Sequence, residues 1–198
     1  MPDDPQQTWH TRTEVPGDTL DAATVRRILR SAFDSPHEAE LVDALRNGPA
    51  WLPHLSWLAE TPDGEPVAYV LLSRCHIGTA EALALAPCAT LPERQGSGAG
   101  ATAVQAALDA AREAGESTVV VLGHPDYYPR FGFRPCAEFG ITPPPGHDWP
   151  AEAFLALPLT AAPPPRRPRH LPARLRPLTT AGDRARGAVS RLPGSPAG

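Results

Sequence analysis

The sequence predicts an α/β (α+β) fold, a sheet with helices packed on it, in one domain followed by a tail. Three observations predict it. Strand-length runs of Val, Leu, Ile and Tyr recur through residue 160. Between them lie stretches whose apolar residues repeat at helical spacing, such as Val25, Ile28, Leu29, Ala32 and Phe33. A glycine-rich turn, Gly96-Ser97-Gly98-Ala99-Gly100, joins a strand candidate to a helix candidate.

The elements follow in order. Residues 1–7 carry no pattern and are expected to be disordered. Trp9 to Val15 alternates as a first strand, and Gly17-Asp18 breaks it. Asp18 or Thr19 then caps a helix that starts at Leu20. Ser35-Pro36-His37-Glu38 reads as a capping box with Pro in the first turn, opening a second helix that stops at Asn47-Gly48-Pro49. Leu55 to Glu60 and Pro66 to Ile77 read as a hairpin around Thr61-Pro62-Asp63-Gly64. Glu81 to Leu91 is a further strand interrupted by Pro87. Because Pro cannot donate to a ladder, a bulge or splay is expected near Pro87 to Ala89.

Ala101 to Ala114 is a helix closed by Gly115. Ser117 to Leu122, apolar without a break at Val119-Val120-Val121, is a central strand. Gly123 to Gly132 is a compact turn or short helix, and Phe133 starts another strand. Ile141 to Pro150 is a Pro-rich loop, and Ala153 to Leu159 is the last strand. The domain is therefore placed at 8–160. Residues 161–198, rich in Pro and Arg, are expected to be a disordered tail, since they cannot bury enough apolar surface to offset their ordering entropy.

Charge narrows the function. Residues 1–160 hold 10 Arg against 21 Asp and Glu, a balance of −11, and residues 161–198 hold 8 Arg against Asp183, a balance of +7. An acidic body argues against a nucleic-acid domain, which carries its basic patch on the fold. All 18 basic residues are Arg and none is Lys, so the chain offers no side-chain amine of its own to an acylating reagent. The 3 cysteines, Cys75, Cys88 and Cys136, are widely spaced and odd in number, which argues against a disulfide framework and a zinc site; no metal is expected. Met1-Pro2-Asp3-Asp4 is too acidic for a signal peptide, and no apolar run reaches the ~18 residues of a span, so a cytoplasmic protein without membrane contact is expected.

Strand, glycine loop and helix together form a phosphate-binding arrangement. Amides at a helix start are unpaired and the dipole is positive there. A P-loop needs Lys after its last Gly, and the chain has none. Gly96-Ser97-Gly98-Ala99-Gly100-Ala101 fits the spacing of a dinucleotide fingerprint. Leu91-Pro92-Glu93-Arg94 separates it from its strand, however, and no acid ends the next strand. An ordinary glycine-rich connection is the remaining alternative.

A second motif decides among these. Gln95-Gly96-Ser97-Gly98-Ala99-Gly100 is similar to the Q/R-x-x-G-x-G/A loop of GNAT acetyltransferases, and Gly123-His124-Pro125-Asp126-Tyr127-Tyr128-Pro129-Arg130-Phe131-Gly132-Phe133 resembles the segment in which a Tyr precedes their final Gly-Phe. The pair resembles the YhbS-like branch over roughly residues 8–160. Ser97 and Ala99 depart from that pattern, and Ser97 leaves out one phosphate cation.

The resemblance implies a mixed, mostly antiparallel sheet of about six to seven strands, splayed between strands 4 and 5 and flanked by helices. It implies acetyl-coenzyme A as acyl donor, its pantetheine arm along Cys88, Ala89 and Thr90 and its diphosphate on Gln95, Gly96, Ser97, Gly98, Ala99, Gly100 and Ala101. Backbone amides near Ala89 and Thr90 would polarise the thioester carbonyl. Tyr128, four residues before Gly132, holds the place of the family's general acid. His124 is the candidate base, with Asp126, Glu81 and His76 as alternatives.

Cys88 reads as a small buried hydrophobe rather than a nucleophile, and Tyr127 as packing. Trp51, Trp57, Trp149 and Phe139 are candidate acceptor-pocket residues, or else ordinary packing. The expected partner is a small-molecule or peptidyl amine, with a homodimer left open. The expected function is N-acetyl transfer; the alternative is a non-catalytic acyl-coenzyme A-binding module of the same fold.

Overall fold

Asp18 opens the first helix as expected. In the computed structural model, which describes residues 8–160 and the backbone of 173–177, its carboxylate accepts from the Leu20 N–H (2.7 Å) and the Asp21 N–H (3.3 Å). The helix it caps, α1, spans Thr19–Ala32 and buries Val25, Ile28 and Leu29. The second helix, α2, spans His37–Arg46, with its cap shifted from the expected place. Pro36 occupies the cap position and makes no side-chain bond, while Ser35 Oγ donates to Glu38 (3.1 Å) and accepts from the His37 N–H (3.4 Å).

The strands follow the hydrophobic runs. They are β1 (His10–Thr13), β2 (Ser56–Glu60), β3 (Pro66–Ile77), β4 (Ala80–Thr90), β5 (Thr118–Leu122), β6 (Arg134–Pro135), β7 (Ile141–Thr142), β8 (Phe154–Pro158) and β9 (Ala173–Pro177). The helix between β4 and β5, α3, spans Ala99–Glu113 and starts two residues before the expected position. The sheet runs β1-β2-β3-β4-β5-β8-β6. Along that path every pairing is antiparallel except β4 with β5, which is parallel. α1 lies against β3 and β4, and α3 against β2 and β3.

Two features of β4 position the site. Val70 faces Cys88 while Leu72 faces Leu85, so Ala86 and Pro87 together oppose Leu71; this is the bulge that Pro87 predicts. On its other edge β4 meets β5 only at Leu83–Val119 and Ala84–Val120. Beyond Ala84 the two strands part, leaving the second half of β4 open on that side.

A buried polar cluster ties the helices to the sheet. Glu14, only 2% exposed, accepts from Arg46 Nε (2.7 Å) and Ser56 Oγ (2.7 Å), and Ser56 Oγ lies 2.9 Å from the Tyr69 hydroxyl. Arg12 reaches Asp21 with two bonds of 2.7 Å, joining β1 to α1.

The tail departs from expectation in one place. Residues 173–177, expected to lack regular structure, form β9, which pairs with Cys75–Ile77 of β3 and with β7. The physical reason is a vacancy: β2 covers β3 only as far as Leu71, so the far end of β3 has unpaired backbone that an extended segment can satisfy. The expectations for 1–7, 161–172 and 178–198 lie outside the described residues. Among the described residues no helix is long and apolar enough to cross a membrane, and all three cysteines are free and buried.

Candidate active site

The site is built where β4 loses its neighbour. The Leu91 N–H donates to the Val67 carbonyl across the β3–β4 ladder (2.8 Å). Successive residues of a strand turn their backbone groups to opposite edges. Ala89 therefore also faces β3, and the backbone groups of Cys88 and Thr90 face the gap. Of the two amides the sequence expectation named, near Ala89 and Thr90, the alternation leaves that of Thr90 toward the gap. The Thr90 carbonyl receives the Gln95 side-chain amide (3.4 Å), which folds the following loop back along the strand.

That loop ends in the start of α3. Gly98 is the cap residue, in the left-handed region at φ +92°, and its carbonyl accepts from the Thr102 N–H (2.9 Å). With that bond the helix begins, and the amides of Ala99, Gly100 and Ala101 have no intrahelical partner. The helix comes close to β4: a Cβ on Gly100 would stand 2.6 Å from Thr90 Oγ1. Only glycine lets the amide face and the strand approach this closely.

A cleft of about 260 Å³ connects the two parts. Cys88, Ala89 and Thr90 line one end, and Gln95, Gly96, Gly98, Gly100 and Ala101 the other. Ser97 and Ala99, expected in the same set, do not line it; Ala99 is fully buried and the Ser97 hydroxyl donates to the Arg94 carbonyl. The cleft also takes in Ala32 and Phe33 from the end of α1, and it carries two cations, Arg94 and Arg130.

Of two adjacent tyrosines one lines the cleft and the other, Tyr128, does not. Tyr127, expected only to pack, lines the cleft, with the Arg130 guanidinium stacked over its ring at 4.6 Å. Tyr128 sits behind it in the 3₁₀ turn Tyr128–Phe131, fully buried and edge-on to Tyr127 (5.1 Å) and Phe133 (5.6 Å). Among the described residues its hydroxyl has no hydrogen-bond partner, which is unusual for a buried phenol. Burial holds its pKa well above the usual tyrosine value, with the charges that Cys88 and Tyr127 would carry acting in the same direction. Burial likewise pushes the Cys88 thiol up to about 12, so it stays protonated and is no nucleophile at neutral pH.

The candidate bases are not gathered here. His124, just past β5, has a 41% exposed side chain, accepts from the Asp126 N–H (3.3 Å) and does not line the cleft. Glu81 and His76 face each other at the opposite end of the β3–β4 hairpin, where Glu81 lies 3.9 Å from Arg74. Glu81 stands seven strand residues from Cys88, or roughly 23 Å at the usual rise.

The tryptophans also lie elsewhere. Trp51 packs against the main core, the Trp57 indole donates to the His54 carbonyl (3.0 Å), and Trp149 lines a second, largely apolar cavity of about 260 Å³ with Cys136 and Phe154. Phe139 stacks under Arg134.

Trp9 was missed. Its indole N–H donates to the Ser97 carbonyl (3.1 Å), and no sequence signal could pair residues 88 positions apart.

Comparison with known proteins agrees with this geometry. The profile of the Acetyltransferase (GNAT) family matches residues 22–133. YjhQ of Escherichia coli K12, named an uncharacterized N-acetyltransferase, is 38% identical over 124 residues, covering 61% of this chain and 68% of its own. The YhbS N-acetyltransferase of Escherichia coli, solved with coenzyme A, superposes with a TM-score of 0.69 at 30% identity, covering 79% of this chain and 84% of that one. A GNAT acetyltransferase of Brucella melitensis, solved with acetyl-coenzyme A, gives 0.65 at 30% identity over 86% and 96%. The strand order, the parting of β4 from β5, the free amides at the start of α3 and these matches together establish that the chain belongs to the GNAT family of N-acetyltransferases.

Proposed function

We propose that this chain moves the acetyl group of acetyl-coenzyme A to a primary amine by direct attack on the thioester, with Tyr128 as general acid. One observation carries the reading: a fully buried tyrosine hydroxyl, without a partner among the described residues, belongs to the ring packed edge-on behind Tyr127, and Tyr127 lines a cleft that also takes in a free-amide helix start. A buried hydroxyl left unpaired costs about 1–3 kcal/mol, so a group that completes it only when substrate is bound is the economical explanation.

The residues fit the donor. The amides of Gly98, Gly100 and Ala101 and the guanidiniums of Arg94 and Arg130 would hold its diphosphate and 3′-phosphate. The backbone edge of Cys88 and Thr90 would hold the pantetheine amides, and the same N–H groups would polarise the thioester carbonyl. In that frame the amine nitrogen bonds to the carbonyl carbon as the carbon–sulfur bond breaks. Tyr128 gives its hydrogen to the departing sulfur and regains one from solvent. The nitrogen's surplus proton leaves to solvent, directly or through His124, which is open to water. The donors named in the solved relatives support coenzyme A as the ligand.

The test is thiol release from acetyl-coenzyme A in the presence of a panel of amines, amino acids and aminoacylated carriers. Turnover with at least one of them is expected. Tight coenzyme binding with no turnover on any would replace the enzyme by a non-catalytic binding module.

A second expectation concerns Arg130. Ser97 stands where many relatives of this branch place a cation, and the stacked Arg130 supplies charge to the cleft. Arg130→Gln should raise the Kd of coenzyme A roughly threefold to tenfold, less than a buried hydrogen bond to a charged group contributes, because Arg130 is exposed and screened by water. It should also flatten the dependence of that Kd on salt. Calorimetry at two ionic strengths measures both, and an unaltered salt dependence removes Arg130 from the phosphate wall.

A further inference from the structure

Trp9 precedes β1 and would ordinarily be read as an edge residue, yet its indole reaches the loop that opens α3. Nε1–H donates to the Ser97 carbonyl at 3.1 Å, and a Cβ on Gly98 would stand 3.7 Å from the same nitrogen, so the indole seats directly on the Ser97–Gly98 peptide. That peptide is planar and trans, so its N–H points opposite to its carbonyl. With the carbonyl held on Trp9, the Gly98 N–H must face the other way. Gly98 lines the cleft and Ser97 does not, so the other way is the cleft.

The loop needs such a hold. Gly96 and Gly98 both have left-handed φ, +76° and +92°, and glycine passes between backbone wells at little steric cost. A reversed Ser97–Gly98 peptide would turn a carbonyl oxygen, carrying partial negative charge, toward an anion. The remaining ties act on either side of this peptide: the Ser97 hydroxyl to the Arg94 carbonyl before it, and the Gly98 carbonyl accepting from Thr102 after it.

We propose that Trp9 is a positioning residue for the donor: its indole N–H fixes the Ser97–Gly98 peptide so that the Gly98 amide hydrogen meets the diphosphate of coenzyme A. The inference rests on the donor reading above, and the experiment separates the two. Binding of coenzyme A and of pantetheine, which has no phosphate, is measured for the wild type, for Trp9→Phe, and for a chain with benzothienylalanine installed at position 9. The last keeps the bicyclic ring and loses only the N–H, so it stays informative where Phe packs poorly. Calorimetry reads coenzyme A and ligand-observed NMR reads the weaker pantetheine.

Both replacements should raise the Kd of coenzyme A roughly fivefold to tenfold, the worth of one well-aligned hydrogen bond. Pantetheine should change by less than about twofold, since nothing in its reach depends on the Gly98 amide. Equal weakening of both ligands would make Trp9 a packing residue and overturn the proposal, as would unchanged coenzyme A binding in the benzothienylalanine chain. A wild type that binds no coenzyme A would remove the donor reading itself, and this inference with it.

Discussion

Tyr128→Phe should lower kcat about 100-fold, the lower end of what a general acid contributes, while the protein becomes no less stable. The two halves of that expectation come from the same atom. The Tyr128 hydroxyl is buried and makes no hydrogen bond among the described residues, so deleting it breaks none of theirs and relieves a desolvated polar group. The ring keeps its edge contacts with Tyr127 and Phe133. Unfolding in urea should therefore show an unchanged midpoint, or a gain of up to about 1 kcal/mol. A group retained at a cost in stability and removed at a cost in rate is the signature of a functional site. Coenzyme A should bind the variant as before, because the amides and arginines that would hold its phosphates are untouched. A kcat within threefold of wild type, or a large loss of stability, would return Tyr128 to the ordinary core.

The pH profile checks the same assignment from another side. A general acid acts only while it holds its proton, so loss of the phenolic proton would appear as a fall in rate on the alkaline side. The ordinary tyrosine value is about 10, and burial moves this one upward. The fall should then lie above pH ~10, and below it the rate should rise only as the amine acceptor loses its proton. A descending limb centred near neutrality would point to a different acid.

The elements legible in the sequence are those whose cause is local. Asp18 caps α1 because its carboxylate reaches amides two and three residues on. The bounds of β3 follow from the turn residues before it and from unbroken strand formers within it. The β4 bulge follows from one missing N–H at Pro87. The features that were not legible depend on distant backbone. β9 exists because β2 ends early and leaves the far edge of β3 unpaired, a fact about two other strands. Tyr127 and Tyr128 are adjacent and alike in sequence, and only the tight turn sends one to the cleft wall and the other behind it. Which backbone groups of Cys88, Ala89 and Thr90 are free depends on the parity set by Leu91 against Val67. For the candidate site, then, its location and family could be read from two motifs, and its wiring could not.

Gly123→Ala should destabilise the protein by about 2–3 kcal/mol and displace the tyrosine on which the proposed chemistry depends. In sequence Gly123 marks only the end of β5. In the fold it is the floor beneath the Tyr128 ring: a Cβ there would stand 2.2 Å from Cε2, 2.9 Å from Cδ2 and 3.2 Å from Cζ. Neither side can yield easily. The Gly123 N–H is bonded to the Ala153 carbonyl (2.9 Å), and the ring is wedged between Tyr127 and Phe133 with no exposure. The added methyl must therefore push the ring or pull the strand end, and either change moves the hydroxyl from its place behind Tyr127. Because the clash is with ring carbons and not with the hydroxyl, Tyr128→Phe should not relieve it, whereas Tyr128→Ala should. Measured as a double-mutant cycle by chemical denaturation, Gly123→Ala should cost at least about 2 kcal/mol less in the Tyr128→Ala background than in wild type. Additive costs would mean that the two residues do not press on each other, and the glycine would then have to be explained by its backbone alone.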